Sequence, residues 1–177
     1  DTVTIAPARP RPDGARAASY ELRMRTVIDA PLDDVFAFFS KAENLGVITP
    51  ATMNVSIDGE VPLMAENARI DYRLQVGPVP VKWRTHITTW EPGRKFIDIQ
   101  EAGPYRLWWH EHTFEPQGTR TVMEDCVYYA PPFGIVGRLA NFLFIGPMLR
   151  KIFQYRSDVI RLRFGVSERG PAAPPSP

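Results

Sequence analysis

Cysteine is nearly absent from this chain: Cys126 is the only one in 177 residues. One thiol excludes an internal disulfide and any cysteine-based zinc cluster, and it suits a reducing, cytoplasmic setting. Net charge is also missing. Lysine and arginine total 21 against 20 aspartates and glutamates, a balance of +1, so nothing resembles the basic stripe of a nucleic-acid binder. No GxSxG elbow, phosphate-binding loop or dinucleotide glycine pattern occurs, which leaves the common hydrolase and kinase machineries unsupported. No run is long enough to cross a bilayer, which takes about 20 apolar residues. The most apolar stretch, Phe133 to Ile145, carries Arg138 and Asn141 and is followed by Pro147. Stable membrane insertion is therefore not expected, although this stretch suits transient contact with a membrane surface. Packing of its apolar stripe across the mouth of the sheet is the simpler expectation.

What is present is a patterned segment from Lys95 to Ala130, which reads as three antiparallel strands. Side chains on a strand alternate with period two, so Trp108, His110, His112 and Phe114 share one face. The Gly103-Pro104 turn returns Phe96, Asp98 and Gln100 beside them. The Pro116-Gln117-Gly118 turn does the same for Met123, Asp125, Val127 and Tyr129. The product is an aromatic patch with Asp98, His110, His112 and Asp125 at its middle. A one-residue slip in register would send all of it to the opposite face.

The rest of the chain frames this segment. Residues 1–19 are rich in Ala, Pro and Arg without an apolar core and read as a flexible leader, not a signal peptide. Residues 165–177 read as a second flexible Pro/Ala segment, leaving a single domain over 20–164. Tyr20 to Ile28 alternates as a half-buried strand. After Pro31, Val35, Phe36, Phe38 and Phe39 recur at helical spacing, and a second short helix follows from Ala42 to Val47. Further strands run over Met53–Asp58, Ala68–Val76 and Val81–Trp90. The pattern through Gly77–Pro80 sets Leu74 near Trp83 and Tyr72 near Thr85, and the turn at Pro92-Gly93 sets Ile87 near Asp98. Phe133 to Phe164 is helical, with a break at Gly146-Pro147. Strand, two helices, six strands and helix make an α+β domain.

Particular runs carry a resemblance. They are Ile28-Asp29-Ala30-Pro31, Val35-Phe36, Phe38-Phe39 and Thr49-Pro50; then Trp83, Ile87, Trp90-x-Pro92, Phe96-x-Asp98-x-Gln100, Gly103-Pro104-Tyr105 and Trp108-x-His110-x-His112-x-Phe114. The series ends with Asp125-x-Val127-x-Tyr129, Pro132 and Ile152-Phe153-x-Tyr155-Arg156. Over residues 20–164 the chain resembles the START/Bet v 1-like (SRPBCC) superfamily, and within it a bacterial ligand-binding subfamily whose relatives carry cyclase/dehydrase or coenzyme-Q-binding names. The resemblance implies a helix-grip fold: a seven-stranded curved antiparallel sheet wrapped around a long C-terminal helix, with two short helices after the first strand and a cavity between sheet and helix.

The function expected is binding of a hydrophobic or amphipathic small molecule, a lipid, quinone or polyketide-like compound. Tyr72, Trp83, Phe96, Trp108, Tyr129 and Phe153 would wall the cavity, and Asp98, Gln100, His110, His112 and Asp125 would fix polar groups. The same polar row admits a self-satisfied structural network. It also admits a polyketide cyclase/dehydratase-like enzyme with His110 as base, polarised by Asp98 or Asp125. A third reading is an interaction module with a filled core. His110-x-His112 has the spacing of two metal ligands on one strand face, Asp98 or Asp125 could supply a third, and such a set suits zinc or iron; but two strand histidines are weak evidence alone, and neither metal nor cofactor is expected. On the outer face Ile97, Ile99, Leu107, Trp109, Cys126 and Tyr128 would form an apolar patch, a candidate homodimer surface.

Overall fold

The computed structural model describes residues 2–14 and 18–165. Its strands are β1 (Thr4–Pro7), β2 (Tyr20–Ile28), β3 (Ser56–Ile57), β4 (Arg69–Val76), β5 (Val79–Glu91), β6 (Lys95–Ala102), β7 (Leu107–Gln117) and β8 (Arg120–Ala130). Helices α1 (Leu32–Phe39) and α2 (Asn44–Val47) follow β2. Helix α3 (Gly134–Ala140) passes through a π-helical turn (Asn141–Ile145) into α4 (Gly146–Phe164). The strands form one sheet in the order β1-β2-β8-β7-β6-β5-β4-β3, antiparallel throughout. This is the expected α+β helix-grip architecture, a curved antiparallel sheet around a C-terminal helix.

The sheet has eight strands, however, not seven. The extra one is β1, within the segment read from sequence as a flexible leader. Thr4 to Pro7 pair with Arg23 to Tyr20 along the outer edge of β2. Proline and alanine content hid the strand, but an edge strand needs only one bonded side and tolerates proline. Leader residues then cross the outer face of the sheet. Arg9 pairs with the buried Glu21 at 3.0 Å, and the Arg11 guanidinium lies 5.7 Å from the centre of the Trp109 ring. Trp109 and Tyr128, expected at the heart of an exposed apolar patch, are 6% and 2% exposed. Beyond Gly165 the expected C-terminal tail lies outside the described residues.

The hydrophobic core forms where the inner face of the sheet meets the helices. Asp33 and Asp34 sit in the first turn of α1, where acidic side chains complement the helix dipole. Its apolar stripe, Val35, Phe36, Phe38 and Phe39, packs on Phe96, Phe114 and Met123. Phe36 and Phe39 meet the Phe114 ring at 5.3 and 5.4 Å between centroids. Along α4, Leu149, Phe153, Arg156, Ser157 and Ile160 are buried, spaced at the three- and four-residue intervals of one helix face. Leu149 and Phe153 pack on Leu22, Met24, Trp108, Val127 and Tyr129.

One local reading is corrected. Val76 pairs directly with Val79, so the β4–β5 connection is a two-residue hairpin of the kind that matches strand twist. Tyr72 thus faces Trp83 and Leu74 faces Val81, two residues from the expected partners but on the expected side of the sheet. The expected division of the C-terminal region holds: a lead-in helix precedes the long α4, which begins at Gly146 with Pro147 in its first turn, where proline is tolerated. Gly137 in α3 is demanded by packing: a Cβ there would fall 2.0 Å from the Pro132 carbonyl oxygen.

Candidate functional site

The strand registers assemble the polar row. Ile87 faces Asp98 across β5 and β6, with register shifts on either side of it; such bulges bend a strand and re-aim its side chains. Asp98 faces His110 across β6 and β7, and Phe96 faces His112. His112 in turn faces Asp125 across β7 and β8. His110, His112 and Asp125 are 4%, 5% and 1% exposed, at the inner face of the sheet beneath α4.

Two carboxylates bracket two imidazoles. His110 Nε2 lies 2.9 Å from Asp125 Oδ1, and His112 Nε2 lies 3.1 Å from Asp98 Oδ2. The remaining nitrogens point the other way round. His112 Nδ1 is 3.0 Å from the same Asp125 Oδ1, without the alignment of a hydrogen bond, and His110 Nδ1 is 3.7 Å from Asp98 Oδ2. The rings overlap, with centroids 3.7 Å apart, and Phe96 stacks on His112 at 4.1 Å. From α4, Arg156 Nη1 reaches within 3.6 Å of Asp125 Oδ1.

Burial and pairing set the charge states. Burial pushes His110 down to about 4, the neighbouring His112 adds to this, and the hydrogen bond to Asp125 only partly offsets it. Burial acts on His112 in the same direction, but its close pairing with Asp125 and Asp98 prevails and raises it above the usual imidazole value. For Asp125, burial favours the neutral acid; pairing with both histidines overcomes that and holds it well below the usual carboxylate range. The row is thus an ionised carboxylate with one neutral and one more basic imidazole, which is the physics of a buried group stabilised by its partners.

Two hollows with shared walls lie between the sheet and the helices. One of about 150 Å³ is lined by Asp98, His110, His112, Phe96 and Arg156 among others. The second, about 400 Å³, lies between α4 and the far strands and is walled by such residues as Val81, Tyr105, Leu149, Ile152 and Phe153. Tyr72, Trp83, Trp108 and Arg156 border both. Trp83 and Trp108 meet edge to face at 5.2 Å. The second hollow has almost wholly apolar walls; the first provides the polar end.

Most of the expected site residues come together here, but three do not line either hollow. Gln100 is spent on the chain itself: its amide nitrogen donates to the Tyr105 carbonyl at 2.7 Å and its oxygen accepts from the Tyr105 N–H at 3.1 Å, clamping the β6–β7 turn. Tyr129 is fully buried and its hydroxyl donates to Asn141 Oδ1 at 2.9 Å, tying the sheet to the π-helical turn, and its pKa is pushed up to about 12, first by burial. Asp125 stands behind the histidines. Arg156 and Tyr105 were missed. Arg156 had a signal, since it falls on the same helix face as Leu149, Phe153 and Ile160, where a charged residue among core positions calls for a partner.

The sequence profile of the family described as polyketide cyclase / dehydrase and lipid transport matches residues 28–150, more than half of the chain. The chain belongs to this family. Its fold recurs in solved structures of low sequence identity. A START superfamily protein from Mycobacterium smegmatis superposes with a TM-score of 0.63 at 10% identity, covering 81% of this chain and 96% of that one. The protein TTHA0849 from Thermus thermophilus gives 0.61 at 17%, covering 81% and 98%. Major latex-like protein 151 from ginseng, Panax ginseng, gives 0.58 at 10%, covering 81% and 96%. Among curated proteins, none matches the sequence. At these identities the structural likeness speaks for the fold, and the family match for a ligand-binding domain of this type.

Proposed function

We propose that the protein binds an amphipathic small molecule of lipid, quinone or polyketide-like chemistry, its apolar body between β4–β5 and α4 and its polar end toward Asp98, His110, His112 and Arg156. The observation that carries this reading is the apolar hollow of about 400 Å³ that shares Tyr72, Trp83, Trp108 and Arg156 with the smaller hollow lined by the buried charged row. That volume falls in the usual range of ligand pockets, about 300–1,000 Å³, whose walls are apolar with a few convergent polar groups. A hollow of this size also argues against the filled core of an interaction module. Affinity comes from the area buried against aromatic and aliphatic walls. Orientation comes from the polar end, where an unmatched polar ligand group would be penalised.

A fluorescent apolar probe, N-phenyl-1-naphthylamine, tests this. The wild-type chain takes it up stoichiometrically, and Leu149→Trp, which fills the hollow from α4, weakens uptake by at least about tenfold, the equivalent of about 1.4 kcal/mol. Equal uptake by the two proteins, or none by the wild type, overturns the reading.

We infer also that ligand enters from an apolar surface, docking through α3 and the π-helical turn. Phe133, Ile135, Phe142 and Phe144 are 82%, 83%, 79% and 69% exposed, a density of bare large apolar side chains that marks interaction sites. Phe133 holds a left-handed φ of 64°, uncommon for an aromatic residue. The chain from Pro131 to Ser157 contains Arg138, Arg150, Lys151 and Arg156 but no acidic residue, which fits an anionic lipid surface. The expectation that this segment caps the sheet mouth with its apolar side is thereby corrected. No helix among the described residues is long and apolar enough to cross a membrane, so the segment would rest in the interface.

A further inference from the structure

We propose that Asp98, His110 and His112 form a binding site for a divalent transition metal, zinc or ferrous iron, with an open coordination position facing the ligand hollow. The ligand atoms of these three side chains lie within 4.8 Å of one another, and all three residues line the smaller hollow. The inference does not depend on the apolar hollow being filled: either site can be occupied without the other.

The arrangement of nitrogens supports the site more strongly than the residue types do. Asp125 Oδ1 lies 2.9 Å from His110 Nε2 and 3.0 Å from His112 Nδ1, so one carboxylate stands behind both rings. On the other side, His110 Nδ1 and His112 Nε2 both turn toward Asp98 Oδ2, at 3.7 and 3.1 Å. Imidazoles that bind metals commonly donate their remaining N–H to a carboxylate, which fixes the tautomer and ring orientation; Asp125 is hydrogen-bonded to His110 and stands 3.0 Å from His112 Nδ1. Metal bonds of about 2.0–2.1 Å in a tetrahedral site place neighbouring ligand atoms about 3.3 Å apart. The two separations to Asp98 fall on either side of that value.

The internal network leaves a gap at His110: its Nε2 bonds Asp125 Oδ1 at 2.9 Å, while its Nδ1 stands 3.7 Å from Asp98 Oδ2, beyond hydrogen-bond distance. A cation between that nitrogen and Asp98 would bridge the gap. It would take the place of the proton that His112 Nε2 now shares with Asp98, and the proton left on His112 would sit on Nδ1 toward Asp125. Imidazole and carboxylate together suit zinc and iron better than calcium or magnesium. Three protein ligands leave a fourth position for water or a ligand oxygen, the pattern of an open site. Arg156, 3.6 Å from Asp125, offsets one of the two carboxylate charges, so a metal with an anionic ligand would leave the site near neutral.

The test uses the full chain, stripped with a chelator and titrated with zinc alone by calorimetry and elemental analysis. One zinc per chain is expected. Asp98→Ala and His112→Ala should each weaken binding at least about 100-fold, and Asp125→Asn by about 10–100-fold, the usual effect of losing an outer-shell partner. His86→Ala, which alters the remaining histidine, should change nothing. Cobalt(II) in the wild-type chain should give the intense visible absorption of a four-coordinate ion, a readout that needs no variant to fold. No stoichiometric zinc in the wild type, equal binding by Asp98→Ala and His112→Ala, or loss of binding in His86→Ala would each overturn the site. Probe uptake by the zinc-free chain reports separately on the apolar hollow.

Discussion

Asp125 is where sheet, histidines and C-terminal helix meet. It is 1% exposed, touches both imidazoles and lies within 3.6 Å of Arg156. A buried charge is tolerated because its partners replace water; with one partner removed, the others stay buried without compensation. Asp125→Ala should therefore lower the unfolding free energy by about 3–5 kcal/mol, measured by urea denaturation. A loss below about 1 kcal/mol, the range of an exposed pair, would mean that the row contributes little to the fold. At this scale the sequence was largely readable. Strand alternation placed Asp98, His110, His112 and Asp125 on one face, because a half-buried sheet holds its register firmly. What alternation could not tell was which polar groups are consumed internally. Gln100 and Tyr129 sit on the inner side, yet each answers a local need, a turn carbonyl and Asn141. Such pairings depend on the path of the turn and the helix, which residue spacing does not encode.

Among the elements, β1 and its following segment were the least legible. Their Pro- and Arg-rich composition lacks alternation, and their place is set by what they cover: Glu21, Trp109 and Tyr128. Burial alone would raise the pKa of Glu21, but hydrogen bonds from Arg9 and Arg23 hold it down to about 2, against a usual 4.5. A carboxylate lowered by folding contributes stability that is full above its unfolded value and fades as pH falls toward its folded one. Glu21→Gln should accordingly melt at a lower temperature than the wild type at pH 7. That difference should shrink between pH 4.5 and 2; a constant gap across the window would rule out this account of leader docking. The helical region was legible in its periodicity but not in its exposure, since an apolar stripe at helical spacing reads the same whether it meets a core or a bilayer. Phe142→Glu and Phe144→Glu alter exposed positions and should leave melting unchanged. Together they should abolish co-sedimentation with phosphatidylglycerol-rich vesicles that the wild type shows. Vesicle binding equal to wild type in the double variant would remove this segment from the entry route.

The whole molecule divides its labour between a sheet that is satisfied outside and an interior that is not filled. The leader closes the outer face, α1 fills one end of the grip with phenylalanines, and α4 spans the other end without closing it. Family and fold were accessible from sequence because the aromatic and turn residues that shape the sheet recur in order along it. The hollow was not, because its volume is a difference between large packed surfaces that one residue can change. The most direct test is native mass spectrometry of the protein purified from its own host, followed by denaturing extraction. The account predicts a bound amphipathic mass that is released on denaturation and reduced in Leu149→Trp. A wild-type chain that stays at its bare mass, both from its host and after incubation with excess lipid, would contradict it.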